Sequence, residues 1–215
     1  MRPTRRALVL ALAAAPIAGA ALGPAASAQV LSRDDQALVD RAVAYLEGLS
    51  EAHARFIQTD PRGQTSTGEF FLQRPGKARF AYDPPSGLTV VSDGKTVYVA
   101  DSRLKTLNHY PLAATPLSLF LARQIRLDQG VRVTNIERMS DGFTLTARDI
   151  RPRGVSGHIA LTFTDKPLAL EGWAVTDAQG RTTQVRLSGL ERRSGLDPAL
   201  FEAAGLQKSA AGAKM

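Results

Sequence analysis

The sequence predicts a mainly β protein: a meander of eleven short antiparallel strands in a strongly curved sheet, with two amphipathic helices closing its concave face. Three observations lead there. From position 52 onward the apolar residues recur with a period of two rather than at helical spacing. Between these runs stand clusters of turn formers such as Asp60-Pro61-Arg62-Gly63, Asp83-Pro84-Pro85-Ser86-Gly87 and Asp177-Ala178-Gln179-Gly180. Two stretches longer than a single turn carry an apolar stripe at helical spacing.

Ser32 with Asp35 three residues later opens the first helix, in which Leu38, Val39, Ala42, Val43, Leu46 and Leu49 recur at helical spacing until Gly48 and Ser50. Strands follow over 53–59, 65–74, 77–82, 88–92, 96–100 and 104–109. The second helix spans 117–125: Thr115 caps it, Pro116 takes its first position, and Leu117, Phe120, Leu121 and Ile125 form its stripe. Five more strands are expected over 131–139, 142–150, 157–163, 168–176 and 182–190, with Gly172 marking a bulge and Trp173 at the rim or in packing. Asp197-Pro198 opens a last helical turn with Leu200 and Phe201. Two interiors suit such a sheet: a cavity for an apolar guest, or an ordinary packed core.

Residues 1–28 stand apart. Arg2, Arg5 and Arg6 precede an uncharged apolar run from Ala7 to Leu22, and Ala26-Ser27-Ala28 is a small-x-small cleavage site before Gln29, which together make an export signal. Thr4-Arg5-Arg6-Ala7-Leu8-Val9 also resembles a twin-arginine signal, so both the general and the twin-arginine routes stay open. The expected organisation is a signal over 1–28, one domain over 29–207 and a disordered tail over 208–215. With 44% hydrophobic and 22% charged residues over its 215 positions, the chain can bury one sizeable core.

Composition excludes much chemistry. There is no Cys, and the three His (His53, His109, His158) are in no ligand spacing, so no metal, cofactor or thiol nucleophile is expected. Glu69, Asp93 and Asp101 do not form a recognisable carboxylate pair, and no nucleophile with a base is found, so an enzyme is not expected. Of the 27 Lys and Arg, Arg2, Arg5 and Arg6 lie in the signal, and all 20 Asp and Glu follow it, so the remainder carries +4 rather than +7. The scattered arginines lack interleaved aromatics, which argues against nucleic acid and for a mildly basic surface able to approach anionic membranes.

Strand parity sets Phe70, Leu72 and Arg74 on one face, with Ala78, Phe80 and Tyr82 on the matching face of the next strand. A guanidinium at the inner end of a strand needs acceptors, and with no acid in the pattern these are backbone carbonyls at the end of a covering helix, unless Arg74 simply reaches solvent.

The run Ala54-Arg55-Phe56-Ile57-Gln58, then Gly68-x-Phe70-x-Leu72-x-Arg74-Pro75-Gly76-Lys77-x-Arg79-Phe80-x-Tyr82, then Val90-Val91-Ser92-Asp93-Gly94-Lys95 and Thr115-Pro116 resembles the periplasmic outer-membrane lipoprotein carrier family (LolA-like). The resemblance spans about Leu38 to Leu190. It implies an incomplete eleven-stranded antiparallel barrel, a half-barrel, with a helical lid over an apolar cavity. It further implies a periplasmic chaperone that shields the acyl chains of lipoproteins. Such a carrier takes them from an inner-membrane ABC lipoprotein-release transporter to an outer-membrane receptor or the outer membrane itself, as a monomer. An envelope lipid- or lipoprotein-sensing regulatory protein on the same half-barrel is the alternative. The family's lid latch falls on Arg74. The acyl-chain cavity falls on Phe56, Phe70, Leu72, Phe80, Tyr82, Leu88, Val90, Leu161 and Phe163, and the lid helices present Leu38, Val43, Leu46, Leu117, Phe120 and Leu121. This chain departs from the family at Ala78, commonly a large apolar residue there, and carries Phe80 in place of a Trp-like aromatic.

Overall fold

The computed structural model of the chain describes residues 31–115, 117–125, 130–151 and 156–206. The expected signal, Pro116 and the expected tail over 208–215 lie outside the described residues. No helix among the described residues is long and apolar enough to cross a membrane.

Helix α1 (Arg33–Glu47) starts where the sequence places it: the Ser32 hydroxyl accepts from the Asp35 N–H at 3.0 Å and donates to the Asp35 carboxylate at 2.7 Å. Asp34 and Asp35 in the first turn complement the helix dipole, while Val39, Ala42 and Leu46 form the buried stripe. Six strands follow, β1 (Glu51–Thr59), β2 (Thr65–Gln73), β3 (Lys77–Tyr82), β4 (Leu88–Asp93), β5 (Thr96–Asp101) and β6 (Thr106–Pro111). After a 3-10 turn (Leu112–Ala114) and helix α2 (Leu117–Leu121) come β7 (Val131–Arg138), β8 (Gly142–Asp149), β9 (His158–Asp165), β10 (Leu168–Thr176) and β11 (Thr182–Arg192). A 3-10 turn (Pro198–Phe201) capped by the Asp197 carboxylate follows β11, as the Asp-Pro pair predicts.

All eleven strands join one sheet in the order β6-β5-β4-β3-β2-β1-β11-β10-β9-β8-β7. The first and last strands pair at its centre, so the edges are β6 and β7, and the connection between those edges carries α2. The sheet is therefore an open, incomplete barrel rather than a closed one. Alternation assigns one face to the core: Ala52, Ala54 and Phe56 on β1, Phe70 and Leu72 on β2, Phe143 and Leu145 on β8, and Phe163 on β9 belong to one buried cluster with α1 and α2. On β10 the register slips between Leu170 and Gly172, which returns Trp173 to the same face as Leu170. A smaller outer cluster of Val91, Ala100 and Leu206 lies on the opposite face.

Three expectations are corrected. The sixth strand begins at Thr106 rather than 104, because the Asp101 carboxylate accepts from the N–H groups of Arg103 and Leu104 and Lys105 takes φ 54, which extends the turn. The second helix ends at Leu121 rather than 125. Its last carbonyls go elsewhere: the Gly76 N–H donates to Leu121 at 2.8 Å and Arg74 to Ala122. Thr115 does not cap α2 with its side chain; its hydroxyl donates to the Leu112 carbonyl at 2.8 Å and closes the preceding turn, while its own carbonyl accepts from Ser118.

Candidate functional site

Arg74 stands where β2 turns into β3. Its backbone N–H donates to the Ser50 carbonyl at 2.7 Å, which ties the turn to the chain just beyond α1. Nη1 of its guanidinium donates to the Leu46 carbonyl at 2.8 Å, and Nη2 donates to the Ala122 carbonyl. One side chain thus bonds carbonyls at the C-terminal ends of both helices, where the dipole is negative; the Leu46 carbonyl also accepts from the Leu49 N–H at 3.1 Å. Burial lowers the Arg74 guanidinium from its ordinary pKa, and the nearby Glu47 carboxylate works against that shift. Glu47 also joins the two ends directly, because its Oε1 accepts from the Ile125 N–H at 3.0 Å.

The two helices are held differently. Besides Arg74, α1 has ion pairs to the half of the sheet after α2: Arg41 to Asp165 at 2.7 Å and Arg138 to Asp35 at 2.5 Å. Arg192 donates to the Gly48 carbonyl at 2.8 Å and lies over the Tyr45 ring, which in turn meets Phe163 edge-on. At the α2 end the hydrogen bonds run to the Arg74 turn and Glu47, and the side chains Phe120 and Leu121 are buried.

Beneath the helices lies an aromatic cluster. Trp173, 5% exposed, has the Phe120 ring of α2 at 5.5 Å, Phe70 at 5.6 Å and Phe80 at 6.0 Å. Phe80 continues to Phe70 at 4.9 Å and to Phe56 at 5.6 Å, and Phe56 meets Tyr82 at 5.0 Å. Phe56 fits because residue 68 is glycine: a Cβ there would lie 2.6 Å from its ring and 2.3 Å from the Ala81 carbonyl oxygen. Of the residues expected to line a cavity, Phe56, Phe70, Leu72, Phe80 and Phe163 are buried in this cluster, and Tyr82, Val90 and Leu161 are half-buried against it. Leu88, also half-buried, sits with Tyr82 on the border of an outer groove of about 430 Å³, shared with Arg79 and Leu200. Among the lid residues Leu46, Phe120 and Leu121 are buried, whereas Leu38, Val43 and Leu117 are half-buried. Sequence reading left Trp173 out of the site; the signal that points to its inward position is the Gly172 bulge.

Polar groups at this site are few. The Tyr82 hydroxyl donates to Gln58 at 2.8 Å, and burial pushes its pKa up to about 12. Among the described residues there is no group of three or more His, Cys, Asp and Glu placed to hold a metal. The arrangement offers non-directional apolar contact beneath two helices whose C-terminal ends share the Arg74 guanidinium.

The sequence profile described as Outer membrane lipoprotein carrier protein LolA matches residues 47–204. The chain belongs to the LolA family. Curated LolA relatives named outer-membrane lipoprotein carrier protein include one from Chromohalobacter salexigens, 29% identical over 174 residues, covering 75% of this chain and 80% of that protein. Another, from Alkalilimnicola ehrlichii, is 30% identical over 172 residues, covering 74% and 75% respectively. A DUF1329 family protein from Desulfovibrio piger has the same fold, with a TM-score of 0.53 at 11% identity, covering 80% of this chain and 98% of its own. The Arg74 turn and both strands flanking it lie within the part matched to LolA, whereas most of α1 precedes it.

Proposed function

We propose that this lipoprotein carrier is a periplasmic chaperone that takes acylated lipoproteins from an inner-membrane ABC transporter and carries them to the outer membrane, working as a monomer with its first 28 residues as the export signal. One observation carries the reading: Arg74 fastens the ends of both helices over an aromatic concave face. In this reading Arg74 is the latch, and α2 with Phe120 is the part that leaves. Phe56, Phe70, Leu72, Phe80, Tyr82, Val90, Leu161 and Phe163 then receive acyl chains in the space their own side chains and Phe120 now fill, with Leu88 outside that cluster on the border of the outer groove.

Energetics favour a site that shields incompletely. Each acyl methylene taken from water contributes about 0.8 kcal/mol, so three full chains offer on the order of 30 kcal/mol if wholly dried. Such a complex would never release. A lid whose closure returns about 1.5–3 kcal/mol per charged hydrogen bond gives the closed, empty state a stake in letting the chains go.

The test is transfer. The exported protein is incubated with inner-membrane vesicles holding the transporter, ATP and a radiolabelled triacylated lipoprotein, and the soluble fraction is then mixed with outer membranes. The carrier reading expects soluble lipoprotein in the first step and membrane-bound lipoprotein in the second. A protein that holds acyl lipid yet neither receives nor delivers lipoprotein would be a lipid-sensing regulator instead.

A further inference from the structure

At the end of the sheet opposite Arg74, two neighbouring turns are bonded into one edge. They join β3 to β4 and β5 to β6. Ser102 donates to the Gly87 carbonyl through its N–H at 3.0 Å and its hydroxyl at 3.2 Å, and Arg103 Nη1 donates to the Pro85 carbonyl at 3.0 Å. Gly87, at φ +69, allows this approach, since a Cβ would lie 2.8 Å from both Arg103 Cγ and Ser102 Oγ. The edge therefore presents its side chains from a braced backbone.

What it presents is unusual. Leu104 is 72% exposed, the most exposed of the large hydrophobic residues described, and it sits between Arg103 and Lys105. Pro84 and Pro85 beside it are exposed as well. The acids of the two turns are engaged: Asp101 accepts from the Arg103 and Leu104 N–H groups at 2.9 Å, and Asp83 pairs with Arg55 and accepts from Thr67. A held apolar side chain flanked by cations matches a surface with negative headgroups above an apolar layer. A protein partner would need a wider apolar patch with its own packed centre.

We propose that this edge docks the protein on an anionic phospholipid bilayer, with Leu104 entering the headgroup boundary and Arg103 and Lys105 meeting the lipid phosphates. The proposal rests on the carrier reading for its purpose, since delivery brings the protein to a bilayer. It also gives the delivery step a direct lipid contact, independent of any receptor.

Flotation of the exported protein with phosphatidylethanolamine vesicles, with and without about 30% phosphatidylglycerol, tests it, alongside Leu104→Glu and the double variant Arg103→Gln/Lys105→Gln. Binding should require the anionic lipid and fall with added salt. It should drop about fivefold for each cation removed and at least about tenfold for Leu104→Glu. The Leu104 side chain is 72% exposed, so Leu104→Glu should melt with the parent, while the double variant, which gives up the Arg103 bond to the Pro85 carbonyl, should melt slightly lower and stay folded at the assay temperature. Parent binding without the anionic lipid, or binding unchanged in both variants, overturns the proposal. So does poor delivery by Leu104→Glu with vesicle binding intact, which would make Leu104 a protein contact. Lipoprotein uptake in solution separates the two readings: uptake without vesicle binding defeats only the docking edge, and absence of uptake defeats the carrier.

Discussion

Arg74 donates to the Leu46 carbonyl at 2.8 Å, so a residue in the turn after β2 completes the C-terminus of α1, while its second nitrogen does the same for the segment leaving α2. Arg74→Leu removes both bonds: the Ala122 carbonyl loses its guanidinium donor, and the Leu46 carbonyl keeps only its backbone partner, the Leu49 N–H. We expect it to cost about 2–4 kcal/mol, less where water reaches the freed groups. Lipoprotein should still be accepted, but delivered poorly, because closure no longer opposes retention. Arg74→Lys, a point donor without the guanidinium fork, should fall between the two. Urea melts and the transfer assay read these outcomes, and normal delivery by Arg74→Leu would remove the latch.

Phe120 and Trp173 offer an optical test of α2. Trp173 is the single Trp of the chain, and its ring lies 5.5 Å from Phe120. Phe120→Ala should shift its emission to the red and raise binding of an apolar dye severalfold. In a fixed core such a truncation costs about 3–5 kcal/mol, and a lid that lifts on its own should lose less. The full loss, with no gain in dye binding, would make Phe120 an ordinary core residue.

Asp35 ties the start of α1 to β7 through Arg138. The Ser32 hydroxyl, then Arg138, hold its carboxyl below the ordinary 3.8. Its stabilising contribution is therefore complete above that ordinary value and disappears as the pH falls from 3.8 through the depressed folded one. Asp35→Asn should melt a little below the parent at pH 7, and the gap should narrow as the pH is taken below 3.8. Equal melting throughout that range would show that the pair contributes nothing measurable.

Gly68 is required by packing rather than by its backbone angle. In Gly68→Ala the new methyl meets the Ala81 carbonyl, which no rotamer change can relieve, and the Phe56 ring, which can yield. The expected loss is about 1–3 kcal/mol. Adding Phe56→Leu in the same chain should recover only the ring's share. Complete recovery would mean the Ala81 backbone moves aside freely.

The number of strands, their antiparallel pairing through short turns, the start of α1 and the Asp197 cap are all legible in the sequence. Each depends on groups a few residues apart: a period-two apolar pattern, a turn dipeptide, or a hydroxyl three residues before an acid. The inward parity of Phe70, Leu72 and Arg74 is legible for the same reason, since a strand offers two faces. Which carbonyls Arg74 reaches was decided by tertiary structure, because Leu46 and Ala122 lie 28 and 48 positions away and meet only when both helices rest on the sheet. The early end of α2 follows from that meeting, as its last carbonyls find donors in the turn after β2. The bulge at Gly172 is legible in β10 itself, but that the parity it restores brings Trp173 against Phe120 was decided by tertiary structure, since the two residues lie on distant segments. Local periodicity thus specified the sheet, while closure of its concave face was settled by contacts between distant segments that no local pattern encodes.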